Sequence, residues 1–369
     1  MNNINLIAPI NQLGYGVAGL NILKSLKTQC DVVSLFPIGQ PQVTNGEDAQ
    51  AVSESIEHAH FFDPDAPCIK IWHQNDMAQF VGRGDHIGFP IFELDTFNEL
   101  ETHHLRSVDR LFVTSEWAKS VTKSIGVPVD VIPLGVDADL FKTCEPSKKE
   151  KTIFFNCGKW EVRKGHDILI SAFKRLAEKH LDVELWMMCE NPFNSQEEES
   201  KWKTLYNHPK VKIIPRVETQ EEVYNIMQQV DCGVFPSRGE GWNLELLEMM
   251  AVGKHAIATN YSAHTEFCTN ENCSLLSIEG LEPAYDGKWF FGQGHWAKIG
   301  EKEVEILESL MEDFHVNNKK EHLNTAGIET ATNFSWDNSA KKIIGCLENK
   351  KTTMSQQAVM SQKVTSNQL

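Results

Sequence analysis

Short apolar and β-branched runs alternate along this chain with longer stretches of helical spacing. The runs at 4–8, 32–36, 68–72, 86–91, 111–114 and 129–132 form one series, and those at 152–156, 183–189, 211–214, 232–235 and 255–259 form a second. Strands alternating with helices predict parallel sheets covered on both faces. Between the two series, the turn formers and charges of 133–151 interrupt the pattern, so the reading is two doubly wound α/β domains joined near 134–150. The first is assigned to 1–140 and the second to 151–334. Residues 335–349 read as a final helix with Ser335 or Asp337 as its cap, and the polar stretch 350–369 as a disordered tail. No repeat of fixed period is present.

Bulk numbers narrow the function. At 369 residues the chain exceeds what one core usually supports. Thirty-five basic against 51 acidic residues leave a formal charge of −16, which opposes the counterion-release term that drives nucleic-acid binding. Nine cysteines without a Cys-x-x-Cys pair fit buried thiols in a reducing compartment rather than a zinc site. No run approaches the roughly 20 apolar residues of a membrane span. The N-terminal residues lack the basic and apolar regions of a signal peptide, so the expected location is the cytoplasm.

Ligands of open α/β sheets bind beyond the carboxyl ends of the strands, which makes the cleft between two such domains the expected site. The run 232–235 is followed by Pro236-Ser237-Arg238-Gly239-Glu240-Gly241-Trp242, then by an apolar helical stretch from Leu244 to Val252 that Gly253 ends. Strand, glycine loop and helix together receive phosphate, because the first N–H groups of a helix have no intrahelical partner and carry the positive end of its dipole. Asn243, Leu244 and Glu245 are therefore placed at a diphosphate, with Asn243 also a candidate cap and Gly241 and Trp242 included among the donor-binding residues. Glu248 sits among apolar neighbours on that helix. A buried carboxylate needs hydrogen-bond donors, which ribose hydroxyls would supply; a glutamate favoured by the dipole is the plainer alternative.

Gly14, Gly16 and Gly19 open the first helix in a G-x-G-x-x-G spacing that fits a dinucleotide site. The acidic residue such a site uses on the ribose is missing at the end of the next strand, Leu35-Phe36-Pro37. His73 and Glu93 each follow a strand at the carboxyl edge. The pairs Asp63/Asp65 and Asp137/Asp139 read as surface loops rather than metal ligands.

Glu240 and Glu248, with seven residues between them within GEGWNLELLEMMAVG, together resemble the signature of glycosyltransferase family 4. The similarity continues through 257–266, through 131–137, and through Asn156-Cys157-Gly158-Lys159-Trp160-Glu161-Val162-Arg163-Lys164-Gly165. The resemblance implies two Rossmann-like domains facing a central cleft, the GT-B architecture, with the C-terminal helix returning to the first domain. It implies Glu240 beside the donor sugar, Glu248 on the ribose, and two cations on the diphosphate. Lys164 matches one of these; Lys159 stands where the family usually has Arg, and Arg163 is its rival. A lysine brings charge without a planar fork. The loop of Gly16 would lie beside the donor phosphates, and His73 near donor sugar and acceptor.

The function so implied is a retaining glycosyltransferase. It would move a hexosyl or similar group from a nucleoside-diphosphate sugar to a glycan, lipid-linked or small-molecule hydroxyl. Glu240, His73 and Lys164 would be catalytic, and neither a metal nor another cofactor is expected. Rival readings are a sugar-nucleotide epimerase or phosphorylase on the same scaffold, a noncatalytic nucleotide-sugar-binding protein, and an NAD enzyme.

Overall fold

A computed structural model describes residues 3–348; the predicted tail at 350–369 lies outside them. The first half comprises β1 (Asn3–Ala8), α1 (Gly14–Lys27), β2 (Val32–Pro37), α2 (Gly46–Ala59), β3 (Cys68–Trp72) and β4 (His86–Pro90). It continues with α3 (Glu99–Arg106), β5 (Arg110–Val113), α4 (Glu116–Thr122) and β6 (Val129–Val131). Its six strands are parallel in the order β2-β1-β3-β4-β5-β6. The second half begins with β7 (Thr152–Gly158), α5 (His166–Lys179), β8 (Val183–Cys189), α6 (Gln196–Leu205), β9 (Val211–Ile213) and α7 (Gln220–Met227). Next come β10 (Cys232–Phe235), α8 (Leu244–Ala251), β11 (His255–Thr259) and β12 (Ser274–Leu276). These strands form a second parallel sheet, β12-β11-β10-β7-β8-β9. An antiparallel hairpin of β13 (Leu281–Tyr285) and β14 (Phe291–Ala297) follows, then α9 (Glu301–Val316), α10 (Thr325–Asn333) and a last helix, α11, over 336–348.

Continuous apolar strands are what a sheet covered on both faces requires. All four residues of β10 are buried, as are the first six of β7. In each sheet the chain reverses its direction of growth once, between β1 and β3 and between β7 and β10. The loops after those four strands diverge at their carboxyl ends and leave a crevice there.

Three features depart from the sequence reading. The connection 73–85 between β3 and β4 contains no helix; Met77 seals it by packing into a small core with Leu105, Val108, Leu111 and Ile125. The hairpin β13–β14 had no recognisable strand pattern. The tract 133–150 is packed rather than a free linker. Leu134, Val136 and Phe141 are buried, and Thr143 Oγ1 and the Cys144 N–H donate to the carbonyls of Ala251 and Val252 at 3.1 Å.

α11 returns to the first half as expected. Val136 bridges to Ser335, Ser339 Oγ donates to the Pro133 carbonyl at 2.6 Å, and a Cβ on Gly135 would sit 2.2 Å from the Trp336 nitrogen. One apolar cluster consequently runs from β1 and β3 through Leu134 and Phe141, Trp336 and Ile343, to Leu246 and Met250 on α8.

Candidate active site

A cleft of about 340 Å³ lies between the carboxyl edges of the two sheets. Gln12, Gly14, Tyr15, Trp72, His73, Ile91 and Glu93 line it from the first half, and Lys159, Arg163, Lys164, Phe193, Arg216, Glu240 to Glu245 and Glu248 from the second. Loops after β1, β3, β7 and β10 thus meet at one place.

The loop 236–243 is buried throughout. It ends at Asn243, whose φ of +90° lies in the left-handed region that Asn tolerates better than most residues. From there the Asn243 side-chain oxygen caps α8 by accepting from the Leu246 N–H at 3.3 Å, and its Nδ2 reaches His264 Nε2 at 2.9 Å. His264 Nδ1 is 2.9 Å from the Thr259 carbonyl, so Nδ1 carries the proton and Nε2 accepts. Burial lowers the His264 pKa, consistent with this neutral ring. Leu244 and Glu245, the first residues of α8, face the cleft with the positive end of the helix.

Glu240 is held on all sides. Its Oε1 accepts from Lys164 Nζ and Ser237 Oγ, each at 2.8 Å, and its Oε2 from Arg163 Nη1 at 2.8 Å. Its backbone N–H donates to Ser262 Oγ at 2.9 Å. Burial by itself would raise its pKa, but Lys164 and Arg163 hold the carboxylate far below its ordinary value. Lys164 is shifted the other way: despite burial, Glu240 and then Glu245 keep its ammonium charged.

Arg163 departs from its predicted place as a phosphate ligand. It is 5% exposed. Its Nε and Nη2 donate to Glu161 at 3.1 and 2.7 Å, and its Nη1 to the Gly239 carbonyl and to Glu240. With those donors spent inside the protein, Arg163 pins Glu240 against the loop. Lys159 is the more accessible cation, 2.9 Å from Glu161 and 5.6 Å from the centre of the Phe193 ring.

Glu248 contrasts with Glu240. It is 6% exposed and lines the cleft, and its carboxyl accepts no hydrogen bond from the described residues. Burial first, and Glu245 second, raise its pKa well above the ordinary value. A site that buries a carboxyl without protein donors suits a ligand that brings its own.

The other predicted residues divide. His73 lines the cleft against Tyr15, ring centres 4.7 Å apart, and burial together with Lys159 lowers its pKa. Glu93 lies 4.0 Å from Arg163 across the cleft, and burial raises its pKa. Gly16 is set back from the wall, which Gly14, Tyr15 and Val17 form. A Cβ on Gly16 would fall 2.3 Å from Asn11 Oδ1, and one on Gly19 2.3 Å from the Pro9 carbonyl. Gly16 and Gly19 thus let α1 pack against the end of β1, which accounts for two of the three glycines of the G-x-G-x-x-G spacing without a dinucleotide. Asp63 and Asp137 accept loop N–H groups, and Asp65 pairs with Arg83.

Sequence reasoning missed a supporting layer. Buried His166 donates from Nε2 to Asn156 Oδ1 at 3.0 Å and accepts the Glu161 N–H at its Nδ1 at 3.3 Å. Burial, then Lys164, push its pKa down to about 3, so the ring is neutral. Arg238 grips Asp167 with two bonds of 2.8 Å. Gly165, at φ +71°, has the Pro236 carbonyl 2.0 Å from where a Cβ would be. The loops 158–165 and 236–243 are thereby knitted together. Glu161 was legible in principle, since it is the one carboxylate in a loop that carries three cations, Lys159, Arg163 and Lys164.

Among the described residues, His180, Asp182 and His315 are close enough together to hold an ion. His315 contacts Thr152, the first residue of β7, so this group lies at the opposite edge of the sheet from the cleft. No helix of the described residues is long and apolar enough to cross a membrane.

Residues 150–283 match the sequence model of the family described as Glycosyl transferases group 1. A D-inositol 3-phosphate glycosyltransferase of Corynebacterium kroppenstedtii is 24% identical over 259 residues, 64% of this chain and 52% of that relative. Among solved structures, sucrose-phosphate synthase from Thermosynechococcus elongatus superposes with a TM-score of 0.69 at 15% identity, covering 96% of this chain and all of that one. Anabaena HepE in complex with UDP-glucose gives 0.68 at 15% identity, over 95% of this chain and 100% of its own.

Proposed function

We propose that this chain is a glycosyltransferase of the group 1, family 4-like type on two facing Rossmann-like domains, and that it moves a hexosyl or similar unit from a nucleoside-diphosphate sugar to a hydroxyl acceptor with retention at the anomeric carbon. The observation that carries the proposal is the pairing, on one wall, of the open N-terminus of α8 with the donorless carboxyl of Glu248. The diphosphate meets the free N–H groups of Leu244 and Glu245, with Lys164 and Lys159 neutralising its charge. Ribose hydroxyls donate to Glu248 and stabilise its ionised form. Glu240, fixed by Arg163, Lys164 and Ser237, faces the sugar. HepE, similar in fold, was solved with UDP-glucose, which supports a nucleotide-sugar donor here.

In the transfer, the anomeric carbon loses its bond to the diphosphate oxygen and gains one to the acceptor oxygen on the same face. The departing phosphate takes the acceptor proton. Neutral His73, across the cleft from Lys159, orients the acceptor hydroxyl. Positive charge from α8 and the lysines serves the leaving group, so no metal is required. All nine cysteines are free thiols, which supports action in a reducing cytoplasm.

The test is a thermal-shift screen with UDP, GDP, ADP and their sugars, followed by assay of nucleoside diphosphate release with and without added acceptors. A rise in melting temperature with one nucleotide and acceptor-stimulated release is expected. Binding without release or transfer would favour a noncatalytic nucleotide-sugar-binding protein, and no shift with any nucleotide would reject the donor site.

A further inference from the structure

Exposed aromatic side chains are concentrated at one side of the cleft. Among the described residues Phe61 lies elsewhere, whereas Phe193, Tyr285, Trp289 and Phe291, each about half exposed or more, all belong to the β13–β14 hairpin or the loop it touches. Phe193 itself lines the cleft and stands beside Lys159. Trp289 continues from it, ring centres 6.1 Å apart. Tyr285 and Phe291 form a cross-strand pair at 6.2 Å.

The hairpin is braced to keep these rings outward. Asp286 Oδ1 accepts the N–H groups of Lys288, Trp289 and Phe290 at 2.8 to 2.9 Å, with Gly287 at φ +72° completing the turn. Lys288 Nζ donates to the Phe193 carbonyl, Asn194 and Glu198 within 3.0 Å, tying the tip to the start of α6. At the base, the His295 N–H donates to Asp95 at 2.8 Å, on the first-half loop that carries Glu93. The ledge therefore joins the cleft between the two halves, next to the candidate acceptor groups.

Resting on the glycosyltransferase reading, we propose that the β13–β14 hairpin with Phe193 is a saccharide-binding ledge that holds the distal units of an oligosaccharide acceptor. Rigid aromatic faces beside polar groups match pyranose rings, which offer a flat C–H face to an aromatic ring and hydroxyls at their rim. The charge pattern agrees with a neutral glycan. Lys159 and Lys288 are each paired with a glutamate, and Asp286 and Glu282 lie on the hairpin itself. An anionic membrane is instead drawn to clusters of unpaired Lys and Arg.

The experiment titrates the intact protein with hexasaccharides of glucose, galactose, mannose and N-acetylglucosamine, and with the corresponding monosaccharides, by calorimetry. Wild type is compared with Trp289→Ala and with Trp289→Ala/Phe291→Ala. The expected result is that one hexasaccharide series binds the wild type and binds the double variant about tenfold more weakly, while the UDP-, GDP- or ADP-induced thermal shift is the same in both. Equal hexasaccharide binding by wild type and double variant, or binding by no hexasaccharide, overturns the ledge. Vesicles of phosphatidylcholine and phosphatidylglycerol that bind wild type and release the variant overturn it in favour of a membrane surface. A missing nucleotide shift beside variant-sensitive hexasaccharide binding would instead count against the donor reading and leave the ledge standing.

Discussion

Glu240 and Glu248 are the same residue type in opposite electrostatic settings, and they predict opposite mutant behaviour. Removing Glu240 leaves Lys164 buried without its carboxylate and Arg163 with Glu161 as its close partner, and Glu240→Ala should cost about 3–5 kcal/mol. Glu248 has no protein donor to lose, so Glu248→Ala should keep or raise stability while weakening nucleotide binding tenfold or more, about 1.4 kcal/mol. Urea midpoints with and without nucleotide check both; comparable destabilisation by the two variants would make Glu248 structural. The pH dependence follows from the direction of the Glu248 shift. A carboxyl raised above 4.5 by burial contributes stability that is complete below 4.5 and is lost as pH rises through its own higher value. Glu248→Gln should therefore flatten a decline in stability as pH rises above 4.5, and superimposable urea curves for wild type and variant across that rise would refute this. Glu240, lowered by its cations, has the reverse sign: its stabilisation stands above 4.5 and is lost on acidification. Because Lys164, Lys159 and the start of α8 supply the positive charge, activity should also persist in excess EDTA, checked by diphosphate release; loss restored by Mg²⁺ or Mn²⁺ would contradict the metal-free reading.

At the scale of elements, the strands and helices that build the cleft followed from apolar runs and caps. β10, the loop 236–243 and α8 stand where the strand–glycine loop–helix pattern put them. The hairpin escaped detection for a physical reason: β13 contains Pro283 and β14 contains Gly292 and Gly294, and a two-stranded ribbon with one wet face lacks the apolar run of a sheet interior. Two loops, rather than either helix alone, form this wall of the cleft, and Gly165 is where they touch. Gly165→Ala puts a methyl 2.0 Å from the Pro236 carbonyl in a left-handed conformation. It should destabilise by more than about 2 kcal/mol and abolish the nucleotide-induced thermal shift, both read in one scanning experiment. An unchanged shift would mean that the contact between the loops does not shape the wall.

For the whole molecule, the contact between halves runs through the glycines of the signature loop. A Cβ on Gly241 would lie 2.5 Å from Ile91 Cγ2, and one on Gly239 2.7 Å from the Glu93 carbonyl. Thr114 Oγ1 adds a bond to the Gly241 carbonyl at 2.5 Å, and Glu266 accepts the Glu116 N–H at the start of α4 at 2.8 Å. The loop that lines the cleft is thus also the surface on which the first half rests. Gly241→Ala should wedge the halves apart, with a larger radius of gyration by small-angle scattering and at least about a tenfold loss of kcat/KM. A variant with wild-type scattering and activity would show that the halves need not close so tightly.

By itself the sequence determined the two parallel α/β layers and the carboxyl-edge location of the cleft, because burial on both faces demands continuous apolar strands whose loops must diverge where the strand order reverses. It also marked Glu240, Glu248, Lys159 and Lys164 as a group, through residue type and spacing. Tertiary structure alone decided what each charge faces. The commitment of Arg163 to Glu161 and Glu240, the isolation of Glu248, and the packing role of Gly16 depend on residues brought together from distant strands. A buried charge is defined by its surroundings, and those surroundings are not local in sequence.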